Sequence, residues 1–279
     1  MNSMLSDISD FETRGCISLV YPEELRAAVE TVALSWKRFC ALPLATKTSV
    51  PYSNNADGVG YELKDGIGEH VDHKENFDMT VSGVLWLSAH MDQIQDPTVL
   101  QFAKDMASLV HMLKPTVIDF ARQVEDTYAL LGITDEVTAY EDVFFVRFIH
   151  YFNERNVGDV TAAPHVDNGA FTLHLFETAK GLECMTYQGE WIEMPVSDGE
   201  TVIIPGMQMQ HRSKNVIRAL CHRVIETEMG SGGRYSAVCF VQLKLSPKFD
   251  KDKHGRQQGL PAGYNYTMPY EEFVKLFQS

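Results

Sequence analysis

Between Pro22 and about Leu42, apolar residues fall at Leu25, Val29, Val32, Trp36 and Phe39, the three- and four-residue steps of one helix face. Pro22 stands where a first helical turn tolerates proline. Glu23 and Glu24 lie beside the positive end of that helix, and Pro43 ends or kinks it. The strongest helical stretch is 97–131. Pro97 opens it, and Leu109, Leu113, Val117, Phe120, Val124 and Leu131 repeat at helical steps. The stripe reads as core packing, and Pro115 is expected to divide or bend the helix. Residues 16–20 (CISLV) read as a short strand. Residues 51–73, with Gly58, Gly60, Gly66 and Gly68, read as a loop with brief β segments.

The texture changes near residue 140. VFFVRFIHYF (143–152), FTLHLFE (171–177), LECMTY (182–187), TVIIP (201–205), CHRVIET (221–227) and YSAVCFVQLKL (235–245) are β-rich runs separated by Gly, Asp, Asn and Ser turn signals. Many short strands in one region predict a sandwich or barrel. The expected plan is one compact unit over 1–279: a helix-rich region to about 135, a β core over about 140–245, and a tail over 246–279. In the tail KFDKDKHGR is charged, and MPYEEFVKLF resembles a short closing helix that covers one mouth of the barrel.

Composition narrows the class. Of 279 residues 44% are apolar and 22% charged, values of a soluble globular chain rather than a disordered one. The net charge of -14 repels a phosphate backbone and an anionic bilayer, so neither nucleic acid nor membrane is an expected partner. No segment approaches the roughly 18 apolar residues of a membrane span. The N-terminus, MNSMLSDISDFETRG, has no basic region followed by an apolar run, so the expected location is the cytoplasm. Cys16, Cys40, Cys184, Cys221 and Cys239 are scattered and odd in number, the pattern of buried free thiols in a reducing compartment. Nothing marks an oligomeric state.

The chemistry concentrates in the β region. His165 and Asp167, two apart, face the same side of a strand. Pro164 precedes them and Asn168-Gly169 follow, which places the pair near a strand end. A lone H-x-D is weak, and a third ligand must come from elsewhere. His222, at the start of a β-like run, and His211, in MQMQHRSK, are the candidates. Two His and one carboxylate leave coordination positions open on iron(II), unlike a closed four-ligand zinc site. Arg234 and Ser236 also share a strand face and offer a guanidinium fork and a hydroxyl to an anion. On spacing alone, a surface Arg beside the MGSGG loop explains that pair better.

In their order, these motifs resemble the iron(II)- and 2-oxoglutarate-dependent oxygenases of the isopenicillin N synthase-like group. H-x-D matches His165 and Asp167, the distal H-R-V matches His222, Arg223 and Val224, and R-x-S matches Arg234 and Ser236. FCALPLATK (39–47), GVGY (58–61), HKENFDM (73–79), VRFIHYF (146–152) and the block 181–206 extend the resemblance over roughly 15–245. The chain departs from the pattern at Phe152-Asn153, where Tyr-Pro is usual, and at Met207, where Asp often follows the glycine.

The resemblance implies a mostly β fold with flanking helices, a double-stranded β-helix (jelly-roll) core carrying an α-rich N-terminal part. It implies iron(II) on the catalytic residues His165, Asp167 and His222, with His211 in the pocket. It implies 2-oxoglutarate on Arg234, Ser236 and Tyr151, oxygen as co-reactant, and ascorbate as a support. The prime substrate is expected to be a small molecule, oxidised as succinate and carbon dioxide form, in a pocket drawing on Tyr61, His174, Tyr187, Met207, Met209, His211 and Phe240. Relatives that use the same triad without 2-oxoglutarate share R-x-S, so an iron-dependent oxidase stays open, as does a non-enzymatic small-molecule binding domain.

Overall fold

The computed structural model describes residues 7–50, 59–64, 73–140, 142–152, 156–194, 199–227, 232–249, 256–257, 260–265 and 267–277. His70, His254, most of the expected glycine loop and most of KFDKDKHGR lie outside the described residues. A short helix α1 (Asp10–Thr13) and strand β1 (Ile17–Val20) precede helix α2 (Glu23–Cys40), the first amphipathic segment. Helix α3 (Leu44–Lys47) and strands β2 (Gly60–Lys64) and β3 (Lys74–Thr80) lead to α4 (Val81–His90), whose apolar residues form no single stripe and gave no periodic signal.

Helix α5 (Pro97–Tyr128) starts where Asp96 accepts hydrogen bonds from the Thr98 and Val99 amides. The break expected at Pro115 does not occur. Leu109, Leu113, Val117, Phe120 and Val124 stay buried on both sides of it, and this packing offsets the ~3 kcal/mol that an interior proline costs. Leu131 lies beyond the helix end and is 82% exposed, so the buried stripe stops short of it. Helix α6 (Ile133–Ala139) follows.

The β core comprises β4 (Phe144–Tyr151), β5 (Val160–His165), β6 (Phe171–Glu177), β7 (Leu182–Met185), β8 (Trp191–Glu193) and β9 (Glu200–Pro205). After helix α7 (Met207–Arg212) come β10 (His222–Ile225) and β11 (Arg234–Val241). Seven strands form one sheet in the order β1-β9-β6-β11-β4-β3-β2, and four form a second in the order β5-β10-β7-β8. Every pairing in both is antiparallel. This is the double-stranded β-helix with flanking helices that the strand runs and the motifs pointed to. Two-residue strands β12 (Arg256–Gln257) and β13 (Leu260–Pro261) and helix α8 (Tyr270–Lys275) close the chain. Phe249, Met268 and Phe273 of the tail pack with Val166 and Met207.

Alternation along the large sheet separates its faces. Phe144, Val146 and Phe148 of β4 join the core under α2 and α5, where Trp36 stacks on Phe39 and Phe102 and donates to the Ile149 carbonyl at 3.1 Å. Ile149 and Tyr151 face the smaller sheet. A buried charge cluster sits on the helix side. Glu75 accepts from Lys47 Nζ at 2.5 Å and Tyr61 Oη at 2.8 Å, and lies 2.7 Å from His150 Nδ1. Burial raises the Glu75 pKa, but the hydrogen bonds of His150, Lys47 and Tyr61 outweigh it and hold the carboxyl below its usual range.

Glu75→Ala strands the buried Lys47 ammonium. It is expected to destabilise the protein by about 3–5 kcal/mol in urea unfolding, and the double change Lys47→Met with Glu75→Leu to recover most of that loss.

Candidate metal centre

Strand β5 ends at His165, and the chain turns through 166–170 before β6 begins. The backbone leading into α7 pins this turn. Gly206 N donates to Ala170 O at 2.8 Å, Met207 N to Asp167 O at 2.8 Å and Gln208 N to Gly169 O at 3.0 Å. A Cβ on Gly206 would lie 2.3 Å from Gly169 O and 2.7 Å from Asp167 O, so only glycine permits the approach. On the other side, β10 pairs with β5 in the register that sets His222 opposite His165.

The imidazole centroids are therefore 4.2 Å apart. His165 Nε2 lies 3.7 Å from Asp167 Oδ1, and His222 Nε2 lies 3.8 Å from Asp167 Oδ2. The ligand atoms of all three residues fall within 4.8 Å of one another. His165 Nδ1 is 2.7 Å from Ala163 O and His222 Nδ1 is 3.2 Å from Leu220 O. Donation of each Nδ1–H to its carbonyl leaves both Nε2 lone pairs facing Asp167. Thr172 Oγ1 donates to Asp167 Oδ2 at 2.5 Å.

Burial disfavours the Asp167 carboxylate, but His222, His165 and the Thr172 hydrogen bond outweigh it and lower its pKa. Burial pushes His222 down to about 3, with His165 adding to the effect, so its ring is neutral. Two imidazoles and one carboxylate on one side of a small space fit a divalent cation that keeps open positions. The His165 side chain is 30% exposed against 9% for Asp167 and 5% for His222, so the open side lies at His165.

The three residues line a cavity between the sheets. Ile149 and Tyr151 of β4, Ser236, Val238 and Phe240 of β11, and Thr172, His174 and Glu177 of β6 form its large-sheet wall, and Ala162 and Val224 face them. His174 and Glu177, three residues apart, belong on opposite faces of a regular strand. Here β6 pairs Phe176 with Ala237 and His174 with Val238, so Leu175 is an extra residue, a bulge that returns both side chains to the cavity. Arg234 is buried, and its Nε and Nη2 donate to Glu177 Oε2 at 3.1 and 2.7 Å. Its Nη1 donates to the Lys180 carbonyl.

Of the residues singled out in the sequence, His165, Asp167, His222, Tyr151, Ser236, His174 and Phe240 meet at this cavity, with Arg234 behind Glu177. The others do not line it. Tyr61 is on the helix side, bonded to Glu75, because its strand β2 pairs it with Phe77 of the helical core. Tyr187 donates to Phe11 O at 3.0 Å under the Arg218 guanidinium. Met207 and Met209 belong to core clusters, since 207–212 forms a helix rather than a strand that would aim them inward. His211 packs on Tyr270 and Phe277 near the C-terminus.

Thr172, Glu177 and Asn76 were missed. Asn76 pairs in register with Ile149, and its buried amide has no partner at either Oδ1 or Nδ2. The alternation of β3 was the available signal for Asn76. Cys40, Glu75 and His150 form a second group with closely spaced ligand atoms. Both Glu75 oxygens and both His150 nitrogens already have partners, so this group reads as a closed network.

Residues 140–243, the span that holds every residue of this centre, carry the match to the 2OG-Fe(II) oxygenase superfamily. Among curated relatives, the 2-oxoglutarate-dependent dioxygenase frbJ of Dothideomycetidae sp. is 33% identical over 89 residues, 31% of this chain and 24% of that protein. A 2-oxoglutarate-dependent dioxygenase of Didymella fabae is 27% identical over 265 residues, 83% of this chain and 76% of that protein. Among solved structures, the Arabidopsis thaliana dioxygenase for auxin oxidation 1, in its 2-oxoglutarate complex, superposes with a TM-score of 0.69 at 17% identity. That match covers 90% of this chain and 88% of that one, and it shows the shared fold.

Thr172→Val removes the hydroxyl that orients Asp167. It is expected to weaken iron(II) or manganese(II) affinity by about 10- to 100-fold in anaerobic titration, with a circular dichroism spectrum like the parent's. Gly206→Ala, which pushes on the Asp167 carbonyl, is expected to weaken it at least as much.

Proposed function

We propose that this protein is an iron(II)- and 2-oxoglutarate-dependent oxygenase of the isopenicillin N synthase-like group, acting on a small organic molecule. The observation that carries the reading is the convergence of His165 Nε2, His222 Nε2 and an Asp167 oxygen on one open-sided position. Bound there, iron(II) supplies the oxidising chemistry, in which one oxygen atom of O2 leaves in succinate with release of carbon dioxide and the other oxidises the substrate.

The chain's own part is placement. Thr172 and the 206–208 backbone fix Asp167, while the Ala163 and Leu220 carbonyls fix the two imidazoles. Ser236 and Arg234 would take the distal carboxylate of 2-oxoglutarate. Ile149, Val238 and Phe240, with the Tyr151 ring, form apolar walls that exclude water and suit a moderately apolar substrate. Ascorbate would serve only to keep the iron reduced. We read residues 1–279 as one working unit, because the helical core is continuous with the large sheet. Among the described residues no helix is long and apolar enough to cross a membrane.

A second reading, an iron-dependent oxidase that needs no 2-oxoglutarate, draws support from the Arg234 fork, which Glu177 already fills. Anaerobically purified protein, given iron(II), ascorbate and 2-oxoglutarate and then oxygen, is expected to form succinate above the blank. His222→Ala is expected to fall to the blank. Arg234→Ala is expected to need at least about 30-fold more 2-oxoglutarate, the scale of losing a buried charged hydrogen-bond pair. No succinate, together with no binding of 2-oxoglutarate to the anaerobic iron-loaded protein, would move the assignment to the oxidase.

A further inference from the structure

Arg234, on which the 2-oxo-acid reading rests, already holds a carboxylate. Its Nε and Nη2 donate to Glu177 Oε2 at 3.1 and 2.7 Å, and both side chains are buried. Glu177, not Arg234, lines the cavity beside Tyr151 and Ser236. An entering molecule therefore meets an anion where the proposed cosubstrate needs a guanidinium.

We propose that Glu177 is an internal stand-in for the distal carboxylate of the cosubstrate, seated on Arg234, and that a 2-oxo diacid must displace it to bind. Glu177 then sets both the affinity for the diacid and the preference over 2-oxo acids that lack a second carboxylate. The inference rests on the 2-oxoglutarate reading and deepens it.

Three features support displacement. Glu177 is the last residue of β6, followed by the 178–181 connection, so its side chain lies at the end of the ladder. Its other oxygen is only loosely held, with Oε1 3.5 Å from His174 Nδ1. His174 Nε2 is buried on the same cavity wall and has no partner, which leaves a polar atom free to meet a bound molecule. Charge supplies the force. With Glu177 in place, a bound diacid would set two carboxylates against one guanidinium in a space that screens poorly. With Glu177 turned out, one carboxylate meets one fork, and little net electrostatic energy is lost from Arg234 itself. The bulge at Leu175 is what brings Glu177 to this seat.

The test is anaerobic calorimetry on the iron(II)-loaded full chain with two ligands. One is 2-oxoglutarate, and the other is 2-oxobutyrate, which has the same oxo-acid head and no distal carboxylate. Glu177→Gln is expected to bind 2-oxoglutarate at least about tenfold more tightly than the parent while 2-oxobutyrate is unchanged. Glu177→Asp, which keeps a charge for Arg234, covers the case in which the Gln variant does not fold, and is expected to give a smaller gain of the same sign. An unchanged or weaker affinity for 2-oxoglutarate in the variants would overturn the inference while leaving the 2-oxoglutarate reading intact, since Glu177 would then only brace Arg234. An equal gain for both acids would overturn it as well. Absence of binding by either acid to parent and variants alike would remove the reading and the inference together.

Discussion

A buried carboxylate stays charged only if its surroundings repay the loss of water, and Asp167 sits where that balance is decided. It has two imidazoles within 4 Å, a hydroxyl donor in Thr172, and a backbone whose own carbonyl is fixed by Met207. Of these partners only His165 and Thr172 are local to the H-x-D motif. His222 comes from a neighbouring strand, and the amides that pin the turn come from the entry to α7. The position of Asp167 is thus a property of the closed barrel rather than of residues 165–167. Gly206 shows how tight that closure is, because no side chain fits between the two backbone segments.

The same barrel uses register to gather the cavity. His222 faces His165 across one ladder, and Arg234 and Ser236 face Tyr151 and Ile149 across another. A one-residue slip in either pairing would turn these side chains away from each other. Regular alternation would nevertheless leave the cavity wall without Glu177. The bulge in β6 breaks the alternation once, at Leu175, and places a carboxylate in front of the buried guanidinium.

These features were legible to different degrees. Strands β4, β6, β7, β9, β10 and β11 stood out because their β-branched and aromatic runs are broken by turn residues, whereas the runs of β5 and β8 did not, and His165, Asp167 and His222 followed from motif order. Helix α4 gave no periodic signal, since VSGVLWLSAH is apolar on nearly every side. Pro115 argued locally for a break that the buried stripe of α5 overrides. Met207, Met209 and His211 looked like lining because a Met-rich segment close to the site suits an apolar ligand, whereas it forms a helix whose side chains turn into the core and the tail. Tyr61 failed for a different reason: a strand has two faces, and only pairing with β3 shows which one it uses. Glu177 was invisible because bulges are set by the partner strand, which no single-strand pattern records.

The two faces of β3, β4 and β11 carry unlike polar arrangements in adjacent rows. On the helix side, Glu75, His150, Lys47 and Tyr61 satisfy one another, and His150 stacks flat on Tyr235 at 4.2 Å. One residue further along each strand, on the cavity side, lie Lys74, Tyr151 and Arg234. The closed network thus lies directly behind the row proposed to receive the cosubstrate. Its hydrogen bonds tie the strands together where an exchange of Glu177 for a ligand would load them. A site that swaps one buried anion for another needs a scaffold that does not yield during the swap. The satisfied cluster behind Tyr151 and Arg234 gives that stiffness, while the unpaired His174 Nε2 and the loosely held Glu177 Oε1 leave the cavity side free to change partners.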